Sequence, residues 1–302
     1  MTRVAFQGEP GAYSEEAIHQ FFGAGVETDP CTSFEGIFDA VESGTAEYGM
    51  LPVENSTAGS INRAYDLLLD HDLRVWGEMF LRVRHALLAP AGTTLDDVRK
   101  VRSHPHALAQ CARYLHNRGW VSEPAHDTAG SARELAERPE PGVAAIASRL
   151  AGQLYHLEEM AYGIEDSRHN YTRFFILSHD APSRAQRNKT SIVFCARHEP
   201  GALYECMGEF ARRRINLTKL ESRPTGRGLG DYCFMIDLEG HIEDEVVADA
   251  LRSLKAKQSD VKFLGSYPAG GDHGPAVRQE ADERRERAAA WLDDLRSRVE
   301  PG

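Results

Sequence analysis

Four short polar segments hold most of the side chains able to do chemistry: Gly8–Ser14, Asn55–Ser60, Asp127–Thr128 and Asn170–Phe175. They read as polar loops after strands, and loops at strand C-termini, facing a cleft between lobes, are where small ligands bind in α/β folds. Two lead into helices, before Glu15 and before Ile61, whose unpaired backbone N–H groups and dipole favour an anion. An organic acid is therefore the natural ligand, held without many cations. Taken singly these turns are common, and most such turns are structural: Asn55 and Ser56 can simply shape a turn, Ser60 can cap a helix, and Asp127 and Thr128 read as caps. His104-Pro105-His106 has the look of a metal-ligand pair, but with no carboxylate pattern beside it the triplet reads as a helix start. No metal and no cofactor are predicted.

The elements that must position these loops follow from periodicity. Up to about Ser178 short β-like runs alternate with amphipathic helices, the pattern of an α/β fold with parallel strands. Strands are predicted at Arg3–Gln7, Tyr48–Val53, Leu73–Gly77, Phe80–Ala89, Lys100–Ser103, Val143–Ala147 and Tyr171–Ser178. Ser14 is the expected cap of a helix beginning near Glu15, and Thr32 with Glu35 forms a capping box for the next. Two lobes around a cleft result, the first spanning about 1–76 plus 160–180 and the second about 77–159, in a region of 1–180. A Pro-, Ser- and Arg-rich linker at 181–189 precedes a βαββαβ module at 190–268, the ferredoxin-like split βαβ arrangement. The charged tail 269–302 carries Ala288, Leu292, Leu295 and Val299 at helical spacing.

Composition excludes several classes. The chain of 302 residues has a net charge of −11, which repels a phosphate backbone, and no basic stripe offsets it, so nucleic acid is not an expected partner. No apolar run is long enough to cross a bilayer, and the first residues lack a charged leader with an apolar stretch, so neither membrane nor secretion is expected and a cytoplasmic location is. The five cysteines, Cys31, Cys111, Cys195, Cys206 and Cys233, show no Cys-x-x-Cys pair, which argues against a disulfide framework and for a reducing compartment.

Taken together, Gly8-Glu9-Pro10-Gly11-Ala12-Tyr13-Ser14, Leu51-Pro52-Val53-Glu54-Asn55-Ser56 with Gly59-Ser60, and Thr172-Arg173-Phe174 resemble the signature of the prephenate dehydratase family. Gly201-Ala202-Leu203-Tyr204 and Glu221-Ser222-Arg223-Pro224 resemble the two phenylalanine-site motifs of the ACT regulatory domain that this family carries. The likeness runs from Val4 to Pro268.

The resemblance implies a two-lobed, periplasmic-binding-protein-like catalytic domain, a lyase that converts prephenate to phenylpyruvate in L-phenylalanine biosynthesis with loss of carbon dioxide and water. It assigns the proton-donating role to Thr172, and it places Tyr13, Ser14, Asn55, Ser56, Gly59, Ser60, Arg173 and Phe174 at the substrate. Arg173 would grip a carboxylate through its planar fork, or else bridge to a surface acid. Phe174 would wall the ring, although strand alternation sends Phe174 and Phe175 to opposite faces and makes one of them core. Gly201, Ala202, Leu203, Tyr204, Glu221, Ser222, Arg223 and Pro224 would bind L-phenylalanine between copies of the module, in a homodimer or homotetramer. Ala12 stands where bacterial members commonly carry Ser or Thr, and the wording around it is closer to plant arogenate-using relatives, so arogenate stays beside prephenate as substrate. A non-catalytic sensor with the same cleft is the reading from another class.

Overall fold

The structure, a computed structural model, describes residues 1–196, 199–224, 232–257 and 260–271, together with 287 and 291. The chain runs β1 (Arg3–Gln7), α1 (Tyr13–Phe22), β2 (Glu27–Cys31), α2 (Phe34–Glu42), β3 (Tyr48–Asn55), the two-residue β4 (Gly59–Ser60), α3 (Asn62–Asp70) and β5 (Arg74–Arg82). It continues with β6 (Ala86–Ala89), β7 (Lys100–Ser103), α4 (Pro105–Gln110), α5 (Ala112–Arg118), β8 (Val121–Pro124), α6 (Thr128–Glu137), β9 (Val143–Ala147), α7 (Arg149–Leu154) and β10 (Glu158–Tyr162). β11 (Tyr171–Ser178) returns to the first lobe. Then come β12 (Asn188–Cys195), α8 (Ala202–Arg212), β13 (Leu217–Pro224), β14 (Tyr232–Glu239), α9 (Glu245–Lys257) and β15 (Asp260–Pro268).

Each lobe is built on its own sheet, ordered β2-β1-β3-β11-β5 in the first and β10-β6-β9-β7-β8 in the second. β1, β2 and β3 are parallel, but β11 runs against both β3 and β5, so the sheet is mixed where a parallel one was expected. β5 is one continuous strand through Gly77, and β10 pairs with β6. The expected lobe boundaries at 76/77 and 159/160 therefore fall inside strands. The chain changes lobes between β5 and β6 and again between β10 and β11.

Local chemistry explains the helix starts. α1 begins at Tyr13, two residues ahead of the expected start, with Ala12 rather than Ser14 at the N-cap. Ala12 has no side chain to cap with, and Glu15 turns back instead to accept the Gly11 N–H at 2.5 Å and the Thr28 hydroxyl at 2.7 Å. α2 is capped by Ser33, which accepts from Gly36 N, one residue later than the expected Thr32. Asp127 caps α6 through Gly130 N.

The third sheet, β13-β14-β12-β15, is antiparallel and buries both faces. Alternation sends Ile192, Phe194, Ile236 and Leu238 against α8 and α9, where they meet Phe210, Val247 and Leu254. The opposite face sends Val193, Met235, Leu264 and Tyr267 into the same core as Leu51, Val53, Val75 and Phe175 of the first sheet. Each such side chain contributes about 1.5–3 kcal/mol on burial, so the module is docked rather than tethered. Residues 1–269 form one compact unit. Gly265 marks the closest approach: a Cβ there would stand 2.4 Å from the Val75 carbonyl oxygen. The expected tail helix, apart from 287 and 291, lies outside the described residues.

One sequence reading is corrected outright. Cys195 and Cys233, 38 residues apart, are opposite one another on β12 and β14 and form a disulfide. Local spacing cannot show a pairing that strand register creates. Cys31, Cys111 and Cys206 stand outside that bond.

Candidate active site

β3 and β11 pair so that Asn55 faces Thr172, with Gly59 of β4 on the other side of Asn55. The next rung is Glu54 between Arg173 and Ser60. Successive residues of a strand point to opposite faces, so the first rung serves the interlobe side and the second serves the docked third sheet.

Hydrogen-bond accounting fixes the first rung atom by atom. Asn55 Oδ1 accepts the backbone N–H groups of Thr57 and Ala58, each at 3.0 Å. Backbone amides only donate, so Nδ2 of Asn55 must face Asn170 Oδ1 at 2.9 Å and Thr172 Oγ1 at 3.0 Å. Asn170 then turns its own amide nitrogen to Gln110 Oε1 at 3.1 Å, and Gln110 Nε2 donates to Thr57 Oγ1 at 2.9 Å. The Thr57 hydroxyl donates to Asn55 Oδ1 at 2.6 Å and closes the ring. Gln110 comes from α4 of the second lobe, so the ring ties the lobes together at the site. Within it Thr172 is an acceptor. Among the described residues its oxygen makes this single side-chain hydrogen bond, which leaves its proton for whatever lies in the cleft.

Two further side chains join from the buried side. His85, between β5 and β6, places Nε2 at 2.8 Å from Gln110 Oε1 and Nδ1 at 2.6 Å from the Tyr13 hydroxyl. Burial pulls the His85 pKa below its ordinary value and pushes that of Tyr13 well up, so both are neutral near pH 7. His85 and Gln110 were not singled out from sequence, and Asn170 and Thr57 were covered only as members of the candidate segments Asn170–Phe175 and Asn55–Ser60. The one available signal was His85 itself, a lone imidazole directly before the wholly apolar, wholly buried Ala86–Ala89.

The predicted site residues divide. Thr172, Asn55, Gly59 and Tyr13 come together here. Ser14 is half-buried at the second position of α1. Ser56 donates to His169 O at 2.6 Å and accepts from Tyr171 N at 2.9 Å, extending the β3–β11 pairing into the loop. Three expectations are overturned: alternation turns Arg173 and Ser60 to the docked third sheet, and Phe174, on the Thr172 face of β11, is covered by α1. Arg173 is 5% exposed, with its guanidinium on Glu78 and Asp237, each at 2.5 Å, and on Tyr267. Burial opposes that charge, but Asp237, Tyr267 and Glu78 outweigh it and raise the pKa well above the ordinary arginine value. Phe174 is buried with Phe6, Ile18 and Met50 in the core under α1. Ser60 donates to Glu221 at 2.8 Å, across to β13.

The loop before α1 is gripped by the second lobe. Ser148, the cap of α7, donates to Gly11 O, and Tyr155 donates to Pro10 O at 2.8 Å. Glu9 pairs with Arg133 at 2.6 Å. Asp127 serves as a cap, and His104 caps α4, its Nδ1 accepting from His106 N.

In the third-sheet module Gly201 has φ +86 and opens α8, with Ala202 buried, Leu203 partly buried and Tyr204 81% exposed. Within the Glu221–Pro224 segment, Glu221 takes the Ser60 hydroxyl and Arg223 binds Asp66 of α3 at 2.9 Å, while Ser222 and Pro224 are exposed. The acidic and basic members of that expected effector motif are thus engaged by the same chain.

Residues 4–182 match the prephenate dehydratase family, and residues 190–256 match the ACT domain. The chain belongs to the prephenate dehydratase family. As a member it has the two-lobed, periplasmic-binding-protein-like catalytic region followed by an ACT domain. This dehydratase is 44% identical to arogenate dehydratase/prephenate dehydratase 2, chloroplastic, of Arabidopsis thaliana, over 88% of its own length and 72% of the relative. It is 32% identical, with a TM-score of 0.82, to the prephenate dehydratase of Arthrobacter aurescens solved with L-Phe, covering 98% and 100% of the two chains. A structure described as GqqA, a novel type of quorum quenching acylase, is 37% identical at a TM-score of 0.82, over 88% and 98%. In this dehydratase no described helix is long and apolar enough to cross a membrane.

Proposed function

We propose that this chain eliminates water and carbon dioxide from prephenate to give phenylpyruvate, with the same elimination from arogenate to L-phenylalanine as the alternative substrate. In either case the bond to the ring carboxylate breaks and its electron pair enters the ring. The ring C–O bond opposite then breaks, and the departing oxygen takes a proton to leave as water. Electrons balance without an oxidant or reductant, and aromatisation drives the step. The protein has to supply a held geometry and a donor at the departing oxygen.

The observation that carries this reading is the Thr172 hydroxyl, held as an acceptor by Asn55 at 3.0 Å and left with an uncommitted proton. A threonine hydroxyl is no free acid at neutral pH, so Thr172 acts by directed hydrogen bonding and relays the proton. Tyr13, Ser14, Asn55, Ser56 and Gly59 remain as the substrate-side residues; Arg173, Phe174 and Ser60 do not. Thr172→Val keeps the shape and deletes the hydroxyl. Turnover is expected to fall about 10²–10⁴-fold with an unchanged melting curve, following phenylpyruvate from prephenate and phenylalanine from arogenate. A folded variant with normal turnover sinks the mechanism, and a wild-type chain that converts neither substrate is a sensor.

Acyl transfer, the activity named for one structural neighbour, needs a nucleophile with a base in hydrogen-bond reach. Thr172 has an amide there, and both nitrogens of His85 are committed to Tyr13 and Gln110. The reading extends to L-phenylalanine as effector at the ACT domain of a homodimer or homotetramer, supported by the relative solved with L-Phe and by exposed Tyr204, Leu220 and Tyr232 on that domain. Calorimetric titration with L-phenylalanine that shows no heat discards it. A cytoplasmic location fits the three cysteines outside the disulfide, whereas the Cys195–Cys233 bond pulls against it. Thiol trapping in intact cells decides.

A further inference from the structure

His85 is 2% exposed and sits where the chain passes from one lobe to the other. Its backbone N–H donates to Glu165 at 3.0 Å, which anchors the segment. Gln110 Oε1, 2.8 Å from His85 Nε2, already accepts from Asn170 and cannot donate, so Nε2 must carry a hydrogen. Nδ1 is left as the acceptor for the Tyr13 hydroxyl at 2.6 Å. The groups facing this imidazole are Tyr13 from α1, Gln110 from α4 and Glu165 from the segment leading to β11.

We propose that His85 is a positioning residue for the elimination: as the tautomer protonated at Nε2, it locks the Gln110 amide in the one orientation that leaves the Asn170 oxygen facing Asn55, so that no nitrogen–nitrogen clash displaces Asn55 from the Thr172 hydroxyl it holds. The proposal rests on the functional reading above. An amide side chain can turn over, exchanging its oxygen and nitrogen, and Gln110 freed from His85 would present Nε2 to the Asn170 amide nitrogen. Asn170 could answer only by turning as well, bringing its nitrogen against Nδ2 of Asn55. Asn55 cannot follow, because two backbone N–H groups hold its oxygen. His85 thus fixes the ring from one end and the Thr57 and Ala58 amides fix it from the other. Tyr13 supports the tautomer by donating to Nδ1. An imidazolium would force that hydroxyl toward the Arg84 carbonyl, 3.4 Å away, and burial opposes the charge.

The tautomer is read directly from two-bond ¹H–¹⁵N correlations of the full chain labelled with ¹⁵N-histidine, near neutral pH. His85 is expected to show a protonated Nε2 and a bare Nδ1, its signals assigned by their loss in His85→Gln. A protonated Nδ1 overturns the proposal. Kinetics supply the second arm. His85→Leu is expected to lower kcat about 10²-fold with little change in KM, as for a small misplacement of catalytic groups. His85→Gln, whose amide can donate where Nε2–H did, is expected to recover most of that loss. Equal impairment of the two variants, or a loss confined to KM, overturns it; if His85→Leu does not fold, the His85→Gln rate and the tautomer decide. Failure of the wild type on both prephenate and arogenate removes the functional reading instead, and the tautomer result stands independently of it.

Discussion

Asn55 is the residue at which the local backbone decides the chemistry. Its oxygen is claimed by two main-chain amides, so its nitrogen is committed to Thr172 and Asn170. Asn55→Asp is almost isosteric and still satisfies Thr57 N and Ala58 N, but it replaces the donor facing Thr172 with an acceptor. The Thr172 proton would then be drawn to the carboxylate and away from the substrate, and Asn170 Oδ1 would face a second acceptor in place of its donor. Turnover is expected to fall about 10²–10⁴-fold in a protein that still folds, measured as the rate of phenylpyruvate release. A rate equal to wild type would falsify the assignment of hydrogens. Thr172 and Asn55 were legible in the sequence because each stands in a motif. The pairings that hold them were not, because Asn170 lies 115 residues from Asn55, Gln110 lies 53 from Thr57 and His85 lies 72 from Tyr13.

Strand period accounts for most of what sequence could place among the elements. β1, β7, β9 and β11 sit at their predicted residues, since each has apolar residues packed on a sheet face. β2, β8 and β10 were missed, and all three are edge strands. Glu27–Cys31 and Val121–Pro124 each carry a proline, and Glu158–Tyr162 has no fully buried residue, so the alternation that marks a half-buried strand is absent. The glycine loop between β1 and α1 shows the converse, a residue whose need is conformational. Gly11 has φ +88, and a Cβ there would meet Ala151 Cα at 2.8 Å. Gly11→Ala is expected to cost about 1–3 kcal/mol and to loosen the grip of α7 on the loop that carries Tyr13. Urea unfolding that shows no shift in midpoint, with kinetics unchanged, contradicts the packing described for this contact.

At the scale of the molecule, the third sheet lies against the strands that bear the site, and Arg173 is the charge on which that contact turns. Sequence placed Arg173 beside Thr172 and therefore near the substrate; it could not show that the next rung of β11 faces the third sheet, where its partner Asp237 lies 64 positions later. Glu78 and Asp237 are buried at 3% and 0% exposure, with Lys189 on Glu78 at 2.7 Å, so two cations face two anions. Burying ions is costly unless each is paired, and removing one partner leaves the rest uncompensated. Arg173→Met is expected to lose about 3–5 kcal/mol of stability in denaturant unfolding, because Asp237 keeps no other cation within the cluster. Neutralising Asp237 as well, in Arg173→Met with Asp237→Asn, leaves the Glu78–Lys189 pair in place and is expected to recover part of that loss. The same double variant separates the buried joint from the substrate-carboxylate role expected from sequence. If the guanidinium only joins the sheets, kcat/KM for prephenate returns with stability; a refolded variant that still binds prephenate poorly would instead put Arg173 on a substrate carboxylate. The geometry favours the first outcome, since all three sets of Arg173 contacts lie on the side of β11 away from Asn55 and Thr172.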